Sequence, residues 1–175
     1  AIYEALHEDY VFLLKIHPFV QNKPTLPYKY ANFYYDVSDY REINDILLVA
    51  DQLITDYSSV CFEYALLNRP MIFFAPDLAD YMQSRNFYFD YFDFIPGPLA
   101  ETTESLIKQL KQLVINQKKM TGFVHFFFDQ LDGKASARFV DALENQFKPA
   151  DQKNQSTAGE HGKAIPNWGK TTPKS

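Results

Sequence analysis

The chain has a single cysteine among its 175 residues. Cys61 alone excludes an internal disulfide and any zinc site built on several cysteines, and within an apolar helical stretch it reads as a small buried hydrophobe. No apolar run approaches the length of a membrane span and no secretory leader opens the sequence, so a soluble cytoplasmic chain is expected. Cations are outnumbered, with 17 Lys and Arg against 22 Asp and Glu and a formal net charge of −5. A binder of the phosphate backbone carries a basic face, so no nucleic-acid partner is expected and any anion site must be local. No internal repeat is visible, no cluster stands at metal-ligand spacing, and neither a metal nor a cofactor is expected.

What is present is apolar and aromatic: 46% of the chain is hydrophobic, and Phe, Trp and Tyr make up 17% of the chain. That composition buries one sizeable core, and the length suggests one domain. The pattern alternates strand and helix. Ala1 to about Asp9 reads as a helix tail, residues 11–16 as a strand, residues 21–30 as a Pro-rich loop and residues 33–37 as a short strand. Ser38 is expected to cap a helix running to about Ala50, because Ile43, Ile46, Leu47 and Ala50 follow a helical period. Residues 53–55 form the next strand, 59–67 a helix and 71–74 a further strand. Thr102 or Thr103 opens a helix with Leu106, Ile107, Leu110 and Leu113 on one face, and Asp132-Gly133-Lys134 starts a last one carrying Ala135, Phe139 and Leu143. The series predicts an α/β fold, a Rossmann-like parallel sheet with helices on both faces. From Lys148 onward the composition turns polar, so residues 148–175 read as a disordered tail. The segment 87–94, nearly alternating aromatic and acidic residues, fits a packed, half-buried loop or strand better than a membrane-facing patch.

The most informative stretch is Leu53-Ile54-Thr55-Asp56-Tyr57-Ser58-Ser59-Val60-Cys61-Phe62-Glu63. An apolar strand runs into a polar turn that opens a helix, which places hydroxyls and backbone N–H groups where an anion can sit. Asp56 or Ser58 could cap the helix. Glu63 lies four residues after Ser59, on the same face about one turn on. A capping box would need the acid at Phe62, so Glu63 is left for another task, such as holding sugar hydroxyls beside a bound phosphate. The same residues also suit an ordinary strand-to-helix joint with a solvated Glu.

A second element strengthens the anion reading. Val11-Phe12-Leu13-Leu14 reads as a buried strand and delivers Lys15, Ile16, His17 and Pro18 at its end. Alternation puts Lys15 and His17 on one side, a plausible cationic pair where open α/β sheets bind ligands. The remaining candidates are weaker: His125 reads as a packed or boundary residue, His7 as a helix-surface residue and Arg69 as an exposed turn residue.

Taken in order, residues 14–19, 43–48, 50–60 and 68–74 resemble the CDP-glycerol glycerophosphotransferase family, enzymes that polymerise teichoic-acid backbones. The match continues through residues 87–90, 96–99 and 132–135. The resemblance implies the nucleotide-binding C-terminal half of a GT-B-type transferase, with residues 1–147 as the donor domain of an N-terminally truncated protein. It implies that His17 is a catalytic histidine and that Ser58 and Ser59 contact the CDP-glycerol donor. Glu63, standing where relatives usually carry Asp, would lie in the donor site with Lys15 and Asp56. The implied reaction moves glycerol phosphate from CDP-glycerol to a lipid-linked polyol-phosphate acceptor and releases CMP. The general base would come from the missing N-terminal domain, and the work would be done peripherally at the inner face of the membrane, with contact through regions outside this chain. CDP-ribitol, a sugar nucleotide, or a non-catalytic nucleotide-binding module are the alternatives.

Overall fold

The computed structural model of the chain describes residues 1–21, 25–84, 89–112 and 114–147. Residues 1–127 form one unit and residues from 128 onward a second. In the first, chain order is α1 (Ile2–Leu6), β1 (Phe12–Leu14), a 3-10 turn (Tyr28–Tyr30), β2 (Tyr34–Asp36), α2 (Ile43–Val49), β3 (Leu53–Thr55) and α3 (Val60–Ala65). It continues with β4 (Met71–Phe74), α4 (Leu78–Ser84), α5 (Tyr91–Phe94), β5 (Leu99–Ala100), α6 (Thr103–Gln112) and α7 (Gln117–Phe127). The second unit contributes α8 (Ala135–Phe147).

Among the described residues every strand pairing is parallel, as the alternating pattern predicts, but the strands form a two-stranded and a three-stranded sheet rather than one. β1 pairs with β2, Leu13 opposite Tyr35, and β4 lies between β3 and β5, with Ile54 opposite Ile72 and Phe73 opposite Leu99. Because successive side chains of β4 point to opposite faces, Met71 and Phe73 enter one core cluster and Ile72 the other. The first cluster gathers Leu47 of α2, Cys61 and Tyr64 of α3, and Met120 and Phe123 of α7. The second gathers Leu6 of α1, Phe33, and Leu106 and Leu110 of α6, with Phe12 and Tyr34 packed against it. Both faces of β4 are thus covered by helices. Each fully buried large side chain of this strand contributes roughly 1.5–3 kcal/mol.

Several boundaries differ from the sequence reading for local reasons. β1 ends at Leu14 rather than Ile16 because the ladder closes there: Val37 N–H donates to Leu14 O at 2.9 Å and Ile16 N–H turns to Ser38 Oγ at 3.1 Å. β1 is also buried on one face only, since Val11 is 61% exposed and Leu13 37%. Ser38, with its hydroxyl engaged by Ile16, does not cap α2, which starts at Ile43 behind Glu42. The Glu42 carboxylate takes Asn44 N–H at 3.2 Å. α3 ends at Ala65 in a tighter turn closed by Asn68, whose φ of 50° Asn tolerates through its short polar side chain. The aromatic segment winds into α5 rather than a loop or strand, because Asp90 Oδ1 accepts from Phe92 N–H at 2.9 Å and Asp93 N–H at 3.3 Å. Phe87, Tyr88 and Leu113 lie outside the described residues, as does the expected tail at 148–175. The last helix begins as expected after Asp132, whose Oδ1 accepts from Lys134 N–H at 2.9 Å.

Candidate functional site

The turn after β3 is built in two halves. In the first, Asp56 Oδ1 accepts from Tyr57 N–H at 2.6 Å, and Asp56 O accepts from the Tyr91 hydroxyl at 2.9 Å. Asp56 therefore closes its own turn and does not cap α3. The Tyr57 ring stacks on Tyr81 of α4 with centroids 3.7 Å apart, and its hydroxyl donates to Asp77 Oδ1 at 2.9 Å. Burial foremost, with Asp77 second, pushes the Tyr57 phenol above its ordinary value, so it stays a neutral donor. Burial does the same to Tyr91.

The second half presents hydroxyls. Ser58 and Ser59 are exposed, and Ser59 occupies the N-cap of α3 without a side-chain cap bond. Ser58 Oγ takes Val60 N–H at 3.4 Å, and the N–H groups of Cys61 and Phe62 turn back to Ser58 O and Ser59 O at 3.5 and 3.0 Å. The first amides of α3 are thus already engaged. An anion here would be met by the two hydroxyls rather than by the row of free helix N–H groups that the sequence pattern suggested. Glu63 is exposed on α3, one turn beyond Ser59.

Lys15 and His17 follow β1, both exposed, with the half-buried Ile16 between them. The Lys15 ammonium donates to Ser38 O at 2.8 Å and to Tyr40 O, which leaves one of its three N–H bonds for a ligand. Ser38 is itself fixed, its N–H donating to Asp36 Oδ1 at 2.8 Å. At His17, Phe19 N–H donates to Nδ1 at 3.2 Å. Phe19 N–H thereby occupies Nδ1, which leaves Nε2 as the ring's outward nitrogen. The Phe19 ring stands edge-on to the imidazole, centroids 5.0 Å apart. So the residues singled out in the sequence fall in two places: Lys15 and His17 after β1, and Asp56, Ser58, Ser59 and Glu63 after β3. Sequence reasoning missed Ser38, Tyr40, Tyr57, Asp77 and Tyr91 as their supports; only Tyr57, inside the Asp-Tyr-Ser-Ser stretch, carried a visible signal.

The weaker candidates resolve into structural roles. Arg69 Nη1 donates to the Leu48 and Ala50 carbonyls at 2.8 and 2.7 Å, closing the C-terminus of α2. His7 stacks on Tyr3, and His125 is exposed on α7 rather than packed. Cys61 is buried, and its thiol is pushed up to about 12 by that burial. Among the described residues no helix is long and apolar enough to cross a membrane.

Strands β1 and β3, in two parallel sheets, lead to the imidazole and to the hydroxyls, and helices cover both faces of β4, an arrangement that defines a Rossmann-like α/β fold of the GT-B type. The chain belongs to the CDP-glycerol:poly(glycerophosphate) glycerophosphotransferase family, whose model matches residues 1–145. It is 56% identical over 154 residues to the teichoic acid poly(ribitol-phosphate) polymerase of Bacillus spizizenii, covering 87% of this chain and 25% of that protein. To the teichoic acid poly(glycerol phosphate) polymerase of Bacillus subtilis it is 38% identical over 145 residues, covering 80% of this chain and 19% of that protein. Among solved structures it resembles the wall teichoic acid polymerase TagF with a TM-score of 0.68 at 37% identity, covering 83% of this chain and 36% of that one. A histidine-to-asparagine variant of TagF soaked with CDPG matches equally, with a TM-score of 0.68. The chain spans about a quarter of the length of the curated relatives it matches.

Proposed function

We propose that this chain is the donor-binding part of an enzyme that transfers glycerol phosphate from CDP-glycerol to a lipid-linked teichoic-acid-type polymer, releasing CMP. The observation that carries the reading is the turn after β3, which holds Ser58 and Ser59 outward within the family-matched span. A terminal polymer hydroxyl attacks the β-phosphate of the donor; the new P–O bond forms as the bond to CMP breaks. Such transfers rest on positioning and charge stabilisation. The serine hydroxyls hold the diphosphate, Glu63 holds the ribose, and His17 donates from Nε2 to the oxygen that gains charge as CMP leaves. The third N–H of Lys15 adds to that stabilisation. The base that takes the acceptor proton comes from a domain outside this chain, and contact with the membrane's inner face comes from outside it too.

A ribitol-phosphate donor is a second reading, favoured by the 56% identity to a ribitol-phosphate polymerase against 38% to a glycerol-phosphate one. Calorimetric titration of the purified chain with CDP-glycerol and CDP-ribitol decides between them. A CMP-release assay with a teichoic-acid primer then tests the division of labour. Binding without release by the chain alone, and release once the upstream domain is added, is the expected result. Binding of neither donor refutes the reading, and robust release by the chain alone refutes the missing base.

A further inference from the structure

Tyr57 lies inside the turn that presents Ser58 and Ser59, yet its half-buried side chain reaches residues of three other segments. Its hydroxyl donates to Asp77 Oδ1 at 2.9 Å, at the end of the segment linking β4 to α4. Its ring lies flat on Tyr81, 3.7 Å between centroids and 15° between planes, and 5.7 Å from the ring of Tyr91. Tyr91, at the start of α5, fixes the preceding residue by donating to Asp56 O. The turn is thereby held at residues 56 and 57 from α4 and α5, while residues 58 and 59 lead into α3, whose Cys61 and Phe62 N–H groups donate to the Ser58 and Ser59 carbonyls at 3.5 and 3.0 Å and whose Val60 N–H reaches Ser58 Oγ at 3.4 Å. The two serines thus stand between the anchor at residues 56 and 57 and the first turn of α3, and the anchor sets the direction from which the chain enters them. With the phenol raised above its ordinary range, the hydroxyl remains a donor to Asp77 at any physiological pH.

We propose that Tyr57, through its hydrogen bond to Asp77 and its stack on Tyr81, is the positioning residue that aims the Ser58 and Ser59 hydroxyls at the donor's diphosphate. This rests on the reading of that turn as the phosphate-holding element. Ordering two hydroxyls in advance removes a cost that a looser turn would meet at binding. The effect falls on ligands that carry phosphate and spares those that do not.

The test is calorimetry on the 175-residue chain with CDP-glycerol, CDP-ribitol and cytidine. Tyr57→Phe is expected to weaken the tighter CDP-polyol about five- to tenfold, the loss expected for one solvent-accessible hydrogen bond, and cytidine by less than about twofold. Asp77→Ala should match it, Asp77→Asn, which retains an acceptor oxygen, should stay nearer wild type, and the double variant Tyr57→Phe with Asp77→Ala should lose no more than either alone. Faster amide hydrogen exchange at Ser58 and Ser59 in Tyr57→Phe, with the β4 amides unchanged, is expected independently of any ligand. Parallel losses for cytidine and CDP-polyol, additive single losses, or unchanged affinity overturn the positioning role while leaving donor binding intact. A wild-type chain that binds cytidine and neither CDP-polyol overturns the diphosphate reading itself, and the positioning role with it.

Discussion

Gly97 offers a perturbation whose size can be worked from coordinates. It lies where the chain passes from α5 into β5, and a Cβ added there would stand 2.0 Å from the Met71 carbonyl oxygen, 3.0 Å from its carbon and 3.2 Å from Met71 Cγ. The oxygen belongs to β4, the strand packed on both faces, so it has little room to retreat. Relief requires the 97–99 segment to lift by about 1 Å, since ordinary contacts begin near 3 Å. That shift strains the Phe73 N–H bond to Pro98 O, 2.9 Å long, and the pairing of Phe73 with Leu99. Overpacking at a buried site costs about 1–3 kcal/mol, and a weakened backbone hydrogen bond about 1 more. Gly97→Ala should therefore lose about 3 kcal/mol and lower Tm by roughly 6–12 °C, at roughly 2–4 °C per kcal/mol. Gly122 in α7 is the matched control, with nothing within 4 Å of an added Cβ. Gly122→Ala should raise Tm slightly, because Ala is the better helix former by roughly 0.5–1 kcal/mol. Thermal melts followed by circular dichroism read both. A Gly97→Ala melt within 2 °C of wild type would refute the close approach of the segment entering β5 to β4, the central strand of the three-stranded sheet.

Three further outcomes follow from named contacts. His17→Ala, assayed in the assembled enzyme, should lower turnover about a hundredfold with the fold intact, as expected for the loss of one electrostatic or acid–base group; near-normal turnover at saturating donor would remove His17 from the reaction. Arg69→Ala should cost about 1–2 kcal/mol in chemical denaturation because the Leu48 and Ala50 carbonyls lose their shared donor, with Arg69→Lys intermediate. Burial raises the Cys61 thiol from 9.0 to about 12 and the Tyr64 phenol from 10.0 to about 12, so folding favours the protonated forms. Stability is full below pH 9 and falls as pH climbs from there towards 12; urea midpoints that stay level up to pH 11 would contradict that sign.

Strands β1 to β4 were legible because they are short, mostly apolar or aromatic runs of three or four residues set between turn signals, and Met71–Phe74 is apolar on both faces as a central parallel strand must be. What the sequence hid were choices made by side chains. Ser38 looks like a helix cap, yet its hydroxyl is taken by Ile16 N–H across 22 residues, a partner no local pattern announces. α5 is a single turn and β5 two residues, too short to show a period. α7 is different: Met120, Phe123, Val124 and Phe127 fall at i, i+3, i+4 and i+7, so its helical stripe was present and masked by Gly122 and the β-branched Thr121 between. At the site, the chemistry-bearing residues could be named from their strand-end positions, whereas their supports came from sequence-distant elements. Tyr57 reaches Asp77 twenty residues on, and Lys15 reaches Ser38 and Tyr40.

The central claim, that the turn after β3 holds the donor's diphosphate, is tested most directly by calorimetry on the Ser58→Ala, Ser59→Ala double variant with CDP-glycerol, CDP-ribitol and cytidine. If the hydroxyls hold phosphate as claimed, the variant should lose about tenfold or more for whichever CDP-polyol binds the wild type, while cytidine affinity stays within about twofold. Glu63→Gln, acting at the ribose, should weaken nucleotide and nucleoside alike. Equal losses for CDP-polyol and cytidine in the serine variant, or no loss for either, would contradict the claim and place the phosphates elsewhere.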